Sequence, residues 1–237
     1  MSDIALALLL ATLAGVTIPI GAVLASVERI NPRWLEEEFR HTVIAFGGGA
    51  LFSAIALVLI PEGTERLTSF WSLFLFAAGG VSFFAVDSWL SARGGHGAQF
   101  MAMMLDYVPE AAALGALLAY DPNTAYLLAG IIAIQNLPEG FNAYREIDAS
   151  NAIPRGRLLL LFVLVVPAGP LAAWFGMEVL RDVPAVLGAI MVFASGGILY
   201  LLFEDVAPQA VLENHRAPPL GAVAGFLLGL AGHLLVG

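Results

Sequence analysis

Continuous apolarity, repeated along the chain, restricts this protein more than any other feature. Eight segments, Ile4–Val27, Thr42–Ile60, Phe70–Leu90, Phe100–Ala119, Thr124–Tyr144, Leu158–Val179, Val186–Phe203 and Leu220–Val236, are largely apolar and are joined by short connections. A helix needs about 20 such residues to cross the hydrocarbon core of a bilayer, where its N–H groups find acceptors only within the helix. The runs lack the polar–apolar alternation of a membrane barrel strand. Composition agrees. With 59% hydrophobic and 12% charged residues, against about 25% charged in soluble domains, too little polar surface remains to coat a globule. The expected fold class is an all-α integral membrane protein of eight transmembrane helices, forming one domain over residues 1–237. No linker marks a second domain. The first run is too long, and too weakly basic at its front, for a cleaved signal peptide.

Arginine counting orients the spans, because cytoplasmic loops retain positive charge. Loops on one side hold Arg29, Arg33, Arg40, Arg93, Arg145, Arg155, Arg157 and Arg216, and those on the other hold only Arg66 and Arg181. The expectation is a multi-pass protein of the cell (inner) membrane with both termini outside the cytoplasm. The chain has no cysteine, hence no disulfide and no thiolate metal site. A formal charge of −9 argues against a nucleic-acid partner and is compatible with attracting cations.

Polar residues interrupt two adjacent runs in register. The fourth carries Gln99, Met103, Asp106 and Glu110, and the fifth carries Gln135, Glu139, Asn142 and Glu146. Both sets fall at i, i+4, i+7, i+11, one face of a helix. The short turn at Asp121–Asn123 makes the two helices antiparallel neighbours, so facing stripes would line one polar track. An ionisable side chain at mid-bilayer costs at least about 2.5–3.5 kcal/mol and therefore asks for a partner or a function. Each stripe also contains a Pro-Glu pair, Pro109-Glu110 and Pro138-Glu139. Proline strips the carbonyl four residues back, that of Leu105 or Ile134, of its helical donor and leaves it beside the carboxylates. Such a seam can simply glue helices or make an oligomer contact. Carboxylates, amides and freed carbonyls gathered in two spans favour a cation site instead, with a divalent cation displacing protons.

These residues resemble the ZIP family of divalent-metal transporters. Gln135-Asn136-Leu137-Pro138-Glu139-Gly140 is similar to the family's fifth-span motif, and Asp106-Tyr107-Val108-Pro109-Glu110-Ala111 stands where the fourth-span motif would be. Further similarity runs through Ala45–Leu51 with Ile60-Pro61-Glu62, Ala168-Gly169-Pro170-Leu171, and Ala194–Tyr200 with Glu204–Pro208. The resemblance implies a 3+2+3 arrangement, the first and last three spans forming inverted repeats around the fourth and fifth. It further implies alternating access around a midplane site. Carried over residue by residue, the metal ligands would be Asp106, Glu110, Gln135, Asn136 and Glu139. Gln99, Met103, Asn142 and Glu146 would line the pathway. The implied cargo is zinc or another first-row divalent ion, manganese among them, moving into the cytoplasm; no resident cofactor is expected. The chain departs from the pattern at Asp106 and Tyr107, which replace His and Asn, and at Gly169, which replaces a glutamate that helps bridge a second metal in some members. Those departures motivate the alternative of a non-transporting ZIP-fold cation sensor or interaction scaffold.

Other features read more plainly. His41, His96, His215 and His233 lie near span ends or in loops, outside the stripes. An all-oxygen ligand set suits hard cations. Glu62, Glu204 and Asp205 sit near span ends, where snorkelling to water is expected. Asp87 is expected to pair with Arg93 or meet interfacial water. Glu36-Glu37-Glu38 reads as a solvated helix start, and Met101 and Met104 as gap-fillers. Gly221, Gly225 and Gly229 form a small-residue ridge suited to close helix packing, with a homodimer contact as its other use. Neither the Gly-x-Gly-Asp pattern of intramembrane aspartyl proteases nor a set of intramembrane histidines is present, so the chain is not expected to be an enzyme.

Overall fold

The computed structural model describes residues 2–28, 33–91, 98–151, 153–210 and 217–236, with side chains described except at 33–36, 90–91 and 98–99. Among these residues the structure is helical, without strands. Helix α1 is Asp3–Val27. Helix α2, Arg33–Ala54, passes through a π turn, Ile55–Leu59, into Ile60–Glu65. Helices α3 (Ser69–Ser91), α4 (Ala98–Leu117) and α5 (Pro122–Ala149) follow. Helix α6 is Arg155–Val165, resumes as Ala168–Phe175 and ends in a π turn, Gly176–Leu180. Helix α7, Pro184–Leu201, likewise passes through a π turn, Leu202–Val206, to Ala207–Gln209, and α8 is Ala217–Val236.

Local chemistry sets the breaks. Asp121 caps α5, its carboxylate accepting from the N–H groups of Asn123 (3.1 Å) and Thr124 (3.2 Å) and from the Thr124 hydroxyl (2.6 Å). Pro122 follows at a position where no N–H is needed. Asn151 closes the far end with φ 54°, a left-handed conformation that asparagine tolerates. Pro167 and Pro170 break α6, each removing a helical donor.

Seven of these helical runs are long and apolar enough to cross a membrane: α1, α2, α3, α4, α6, α7 and α8. Helix α5 is long enough, but its own polar stripe keeps it below that hydropathy. It nevertheless packs against α1, α2 and α4. Large apolar side chains face outward along the runs, including Leu73, Val163, Leu171 and Leu235, as lipid contact requires.

Helices α1, α4, α5 and α6 pack on one another. In a second group, α2 packs on α8 and α7, and α3 packs on α7. The tightest crossings place one glycine of each helix against the other's backbone. A Cβ at Gly140 would lie 2.3 Å from the Ile18 carbonyl oxygen, and one at Gly21 only 2.1 Å from that of Leu137. The same exchange joins α4 to α6 through Gly115 and Gly176, α2 to α8 through Gly49 and Gly225, and α3 to α7 through Gly79 and Gly196. The ridge Gly221, Gly225, Gly229 is thus occupied by α2 of the same chain, where it meets Thr42, Phe46 and Ser53. A homodimer contact through that ridge is corrected accordingly.

Two ends of the molecule can be distinguished. Arg66, after α2, lies close to Asp121, before α5, and to Gly188 at the start of α7. Opposite, Glu28, Arg40, Arg145, Arg155 and Gln209 surround one cavity. Helix α5 therefore runs from end to end beside α4. The Tyr200 hydroxyl donates to Asp87 Oδ2 at 3.0 Å, and Arg93, its expected partner, lies outside the described residues. Glu62 does not reach for water alone but pairs with Arg66 at 2.7 Å.

Candidate metal centre

The two proline-containing helices cross at Glu110 and Gln135, with Asp106 and Glu139 lining a pocket beside them. Pro109 lies inside α4 and Pro138 inside α5. At this crossing Gln135 Nε2 donates to Glu110 Oε2 at 2.6 Å. Asp106, Glu110, Gln135 and Asn136 are buried, with Glu110, Gln135 and Asn136 at 0% exposure. Burial without water makes each polar atom need a partner. Among the described residues, four oxygens of this cluster have none: Glu110 Oε1, Gln135 Oε1, Asn136 Oδ1 and Glu139 Oε2. Asp106 is partly satisfied, because the N–H of Tyr107 donates to its Oδ1 at 2.8 Å.

Asn136 is turned partly away from the carboxylates. Its Nδ2 donates 3.1 Å to the Ala14 carbonyl of α1, leaving only the amide oxygen free. Among the described residues, no three His, Cys, Asp or Glu side chains are grouped closely enough to hold a metal ion. The donors gathered here are instead carboxylates mixed with amide oxygens. That chemistry suits manganese and other hard cations, while carboxylate oxygens also bind zinc.

Below this cluster a small pocket of about 50 Å³ is lined by Met103, Asp106, Glu139, Asn142, Leu51 and Asp205, among others. It adjoins a cavity of about 730 Å³ at the arginine-rich end, and the two share Ile44, Asn142, Asp205 and Gln209. Glu146 lines the larger cavity, whose walls are fixed by ion pairs from Arg145 to Glu28 and from Arg155 to Asp148, the latter bidentate at 2.9 and 3.0 Å. Toward the Asp121 turn, the cluster is backed by buried Leu114, Leu117, Leu128 and Ile132. Met103 and Asn142 line the inner pocket and Asn142 and Glu146 the outer cavity, while the Gln99 side chain lies outside the described residues.

Asp205, expected only as an acid near a span end, lines both cavities. Helix α7 continues past Phe203 through its π turn, and Asp205 reaches the junction of the two cavities. An acidic residue just beyond an apolar run, before Pro208, was the available signal. His41 Nδ1 lies against the Gln209 carbonyl and His233 sits in the last turn of α8, so neither joins the cluster. His96 and His215 are outside the described residues.

Comparison with known proteins places this geometry in context. No protein-family model matches the chain. It is 24% identical over 271 residues, covering 98% of this chain and 96% of the relative, to the zinc transporter ZupT of Chlorobium phaeovibrioides (strain DSM 265 / 1930). With the same coverage it is 26% identical to the zinc transporter ZupT of Chlorobium luteolum (strain DSM 273 / BCRC 81028 / 2530). Both names are those of transporters and not of enzymes, as expected of this chain. Such end-to-end similarity to named zinc transporters supports the ZIP resemblance carried by Gln135–Gly140.

Proposed function

We propose that this chain is a ZIP-like transporter carrying a divalent metal cation into the cytoplasm, with zinc the first cargo to test and manganese the next. The observation that carries this reading is the set of four buried oxygens, from Glu110, Gln135, Asn136 and Glu139, that no donor among the described residues satisfies. A cation fits them better than a donor would, since carboxylate and amide oxygens are acceptors gathered without compensating charge. Glu110 and Glu139 serve as principal ligands, with Asp106, Gln135 and the amide oxygen of Asn136 completing the shell. Asn142, Glu146 and Asp205 lead the ion out.

The cavity at the Arg40, Arg145 and Arg155 end supports an inward-facing conformation, because arginine-rich loops mark the cytoplasmic side. Helix α5 is then an eighth span, its polar stripe covered by α1, α2 and α4. Pairwise packing supports the 3+2+3 arrangement. Exchanging α1–α3 for α6–α8, and α4 for α5, turns the α1–α5 contact into α6–α4 and the α2–α8 contact into α7–α3. The π turns of α2 and α7 correspond under the same exchange. Alternating access around a central site follows from such symmetry.

The test is uptake of zinc, manganese, iron, cadmium and magnesium into proteoliposomes, with and without Glu139→Gln. Saturable flux that Glu139→Gln abolishes is the expected result. Folded protein that moves none of these ions would sink the transporter and leave a cation-sensing or scaffolding protein.

A further inference from the structure

The residue after the first ligand in each proline motif makes a hydrogen bond to α1. Asn136, after Gln135, reaches the Ala14 carbonyl of α1. Tyr107, after Asp106, turns to the same helix: it is fully buried, and its hydroxyl lies 3.3 Å from the Ala11 carbonyl oxygen. The same hydroxyl lies 3.4 Å from the carbonyl oxygen of Val166 in α6. Pro170, four residues on, deprives that carbonyl of its normal helical donor, and only the N–H of Gly169 approaches it within the helix, at 3.3 Å. Tyr107 thus offers its O–H to α1 and to the proline break of α6 together.

The phenol reaches this position only because two side chains are missing. A Cβ at Gly169 would lie 1.8 Å from the Tyr107 oxygen and 2.4 Å from Cζ, and one at Gly15 would lie 2.1 Å from the oxygen. Tyr107 and Gly169 are therefore one coupled feature, the ring of one filling the space that a side chain at the other would take. Resting on the reading of Asp106 and Glu110 as cation ligands, we propose that Tyr107 is a positioning residue. Its phenol, threaded between Gly15 and Gly169, clamps α1 and the broken α6 to the helix that carries those carboxylates and so sets the affinity of the site.

Zinc uptake in proteoliposomes by the full chain tests this, with KM and maximal rate measured separately and each variant shown to be monodisperse. Tyr107→Phe keeps the ring and loses only the hydroxyl contacts; KM should rise about threefold at unchanged maximal rate. Gly169→Ala forces the ring aside and should raise KM about tenfold. Tyr107→Leu loses the clamp and raises KM as well, and in that background Gly169→Ala should change nothing, since the colliding ring is gone. Gly169→Ala acting equally in both backgrounds, or an unchanged KM in Tyr107→Phe, would overturn the proposal. Absence of uptake by the unsubstituted chain would instead overturn the ligand reading on which it rests.

Discussion

The crossing of α1 and α5 makes a sharp prediction through Gly140→Ala. A Cβ there would lie 2.3 Å from the Ile18 carbonyl oxygen and 3.0 Å from the adjoining carbon, against 3.4 Å or more for ordinary contact. The obstacle is backbone, so relief requires α1 and α5 to part by roughly 1 Å, and overpacking of this kind costs about 1–3 kcal/mol. The displaced segment includes Glu139. A misplacement of about 1 Å at a reacting centre can cost about 100-fold, and a comparable loss of zinc uptake is expected here. Gly130→Ala is the internal control: it lies on the same helix, is exposed, and a Cβ there meets nothing within 4 Å. That substitution should leave uptake intact and raise stability by about 0.5–1 kcal/mol. Thermal unfolding in detergent and proteoliposome uptake read both effects. If Gly140→Ala matches Gly130→Ala in both assays, the reasoning from backbone contact to site geometry is wrong.

Three further outcomes are expected. Gln135→Leu removes the donor to Glu110 Oε2 and leaves that buried carboxylate without a partner, so unfolding free energy should fall by about 2 kcal/mol in a denaturant titration. Asp205→Asn should lower zinc uptake about tenfold while leaving the melting temperature unchanged, because the charge at the cavity junction concentrates cations there. Asp121→Ala should cost about 1 kcal/mol of stability with normal uptake. Hydrogen bonding to the Thr124 hydroxyl, ahead of the backbone caps, holds the Asp121 carboxyl below its ordinary value of 3.8. Its contribution is therefore full at neutral pH and lost as pH falls through the lowered value, so wild type and Asp121→Ala should converge in stability at acid pH.

Most of the helical layout was legible because lipid imposes long apolar runs, and the polar stripes stood out against them. Burial of Asp106, Glu110 and Gln135, and the Gln135–Glu110 hydrogen bond between α4 and α5, agree with those stripes. The details missed depend on tertiary packing. A π turn adds one residue to a helical turn without any compositional mark, so the rotation that brings Asp205 to the cavity junction had no counterpart in the apolar pattern. The Tyr200 hydroxyl that donates to Asp87 comes from a helix distant in sequence, which nearness along the chain does not indicate. The Asn136 amide nitrogen and the Tyr107 hydroxyl both donate to α1, a neighbour that spacing along α4 and α5 does not reveal. The glycine ridge of α8 was read correctly as a packing surface; its partner helix was not evident from periodicity.

The disparity between the two adjoining cavities has a kinetic consequence. A space admits one water at about 10–15 Å³, so the inner pocket of about 50 Å³ holds only a few, whereas the outer cavity of about 730 Å³ accommodates a fully hydrated ion. On the transporter reading, a cation moving between them would exchange most of its water shell for protein oxygens at the Asn142–Asp205 junction. Magnesium gives up its water reluctantly and would be disfavoured at that step. Discrimination among ions would then follow their rates of dehydration as much as their final coordination.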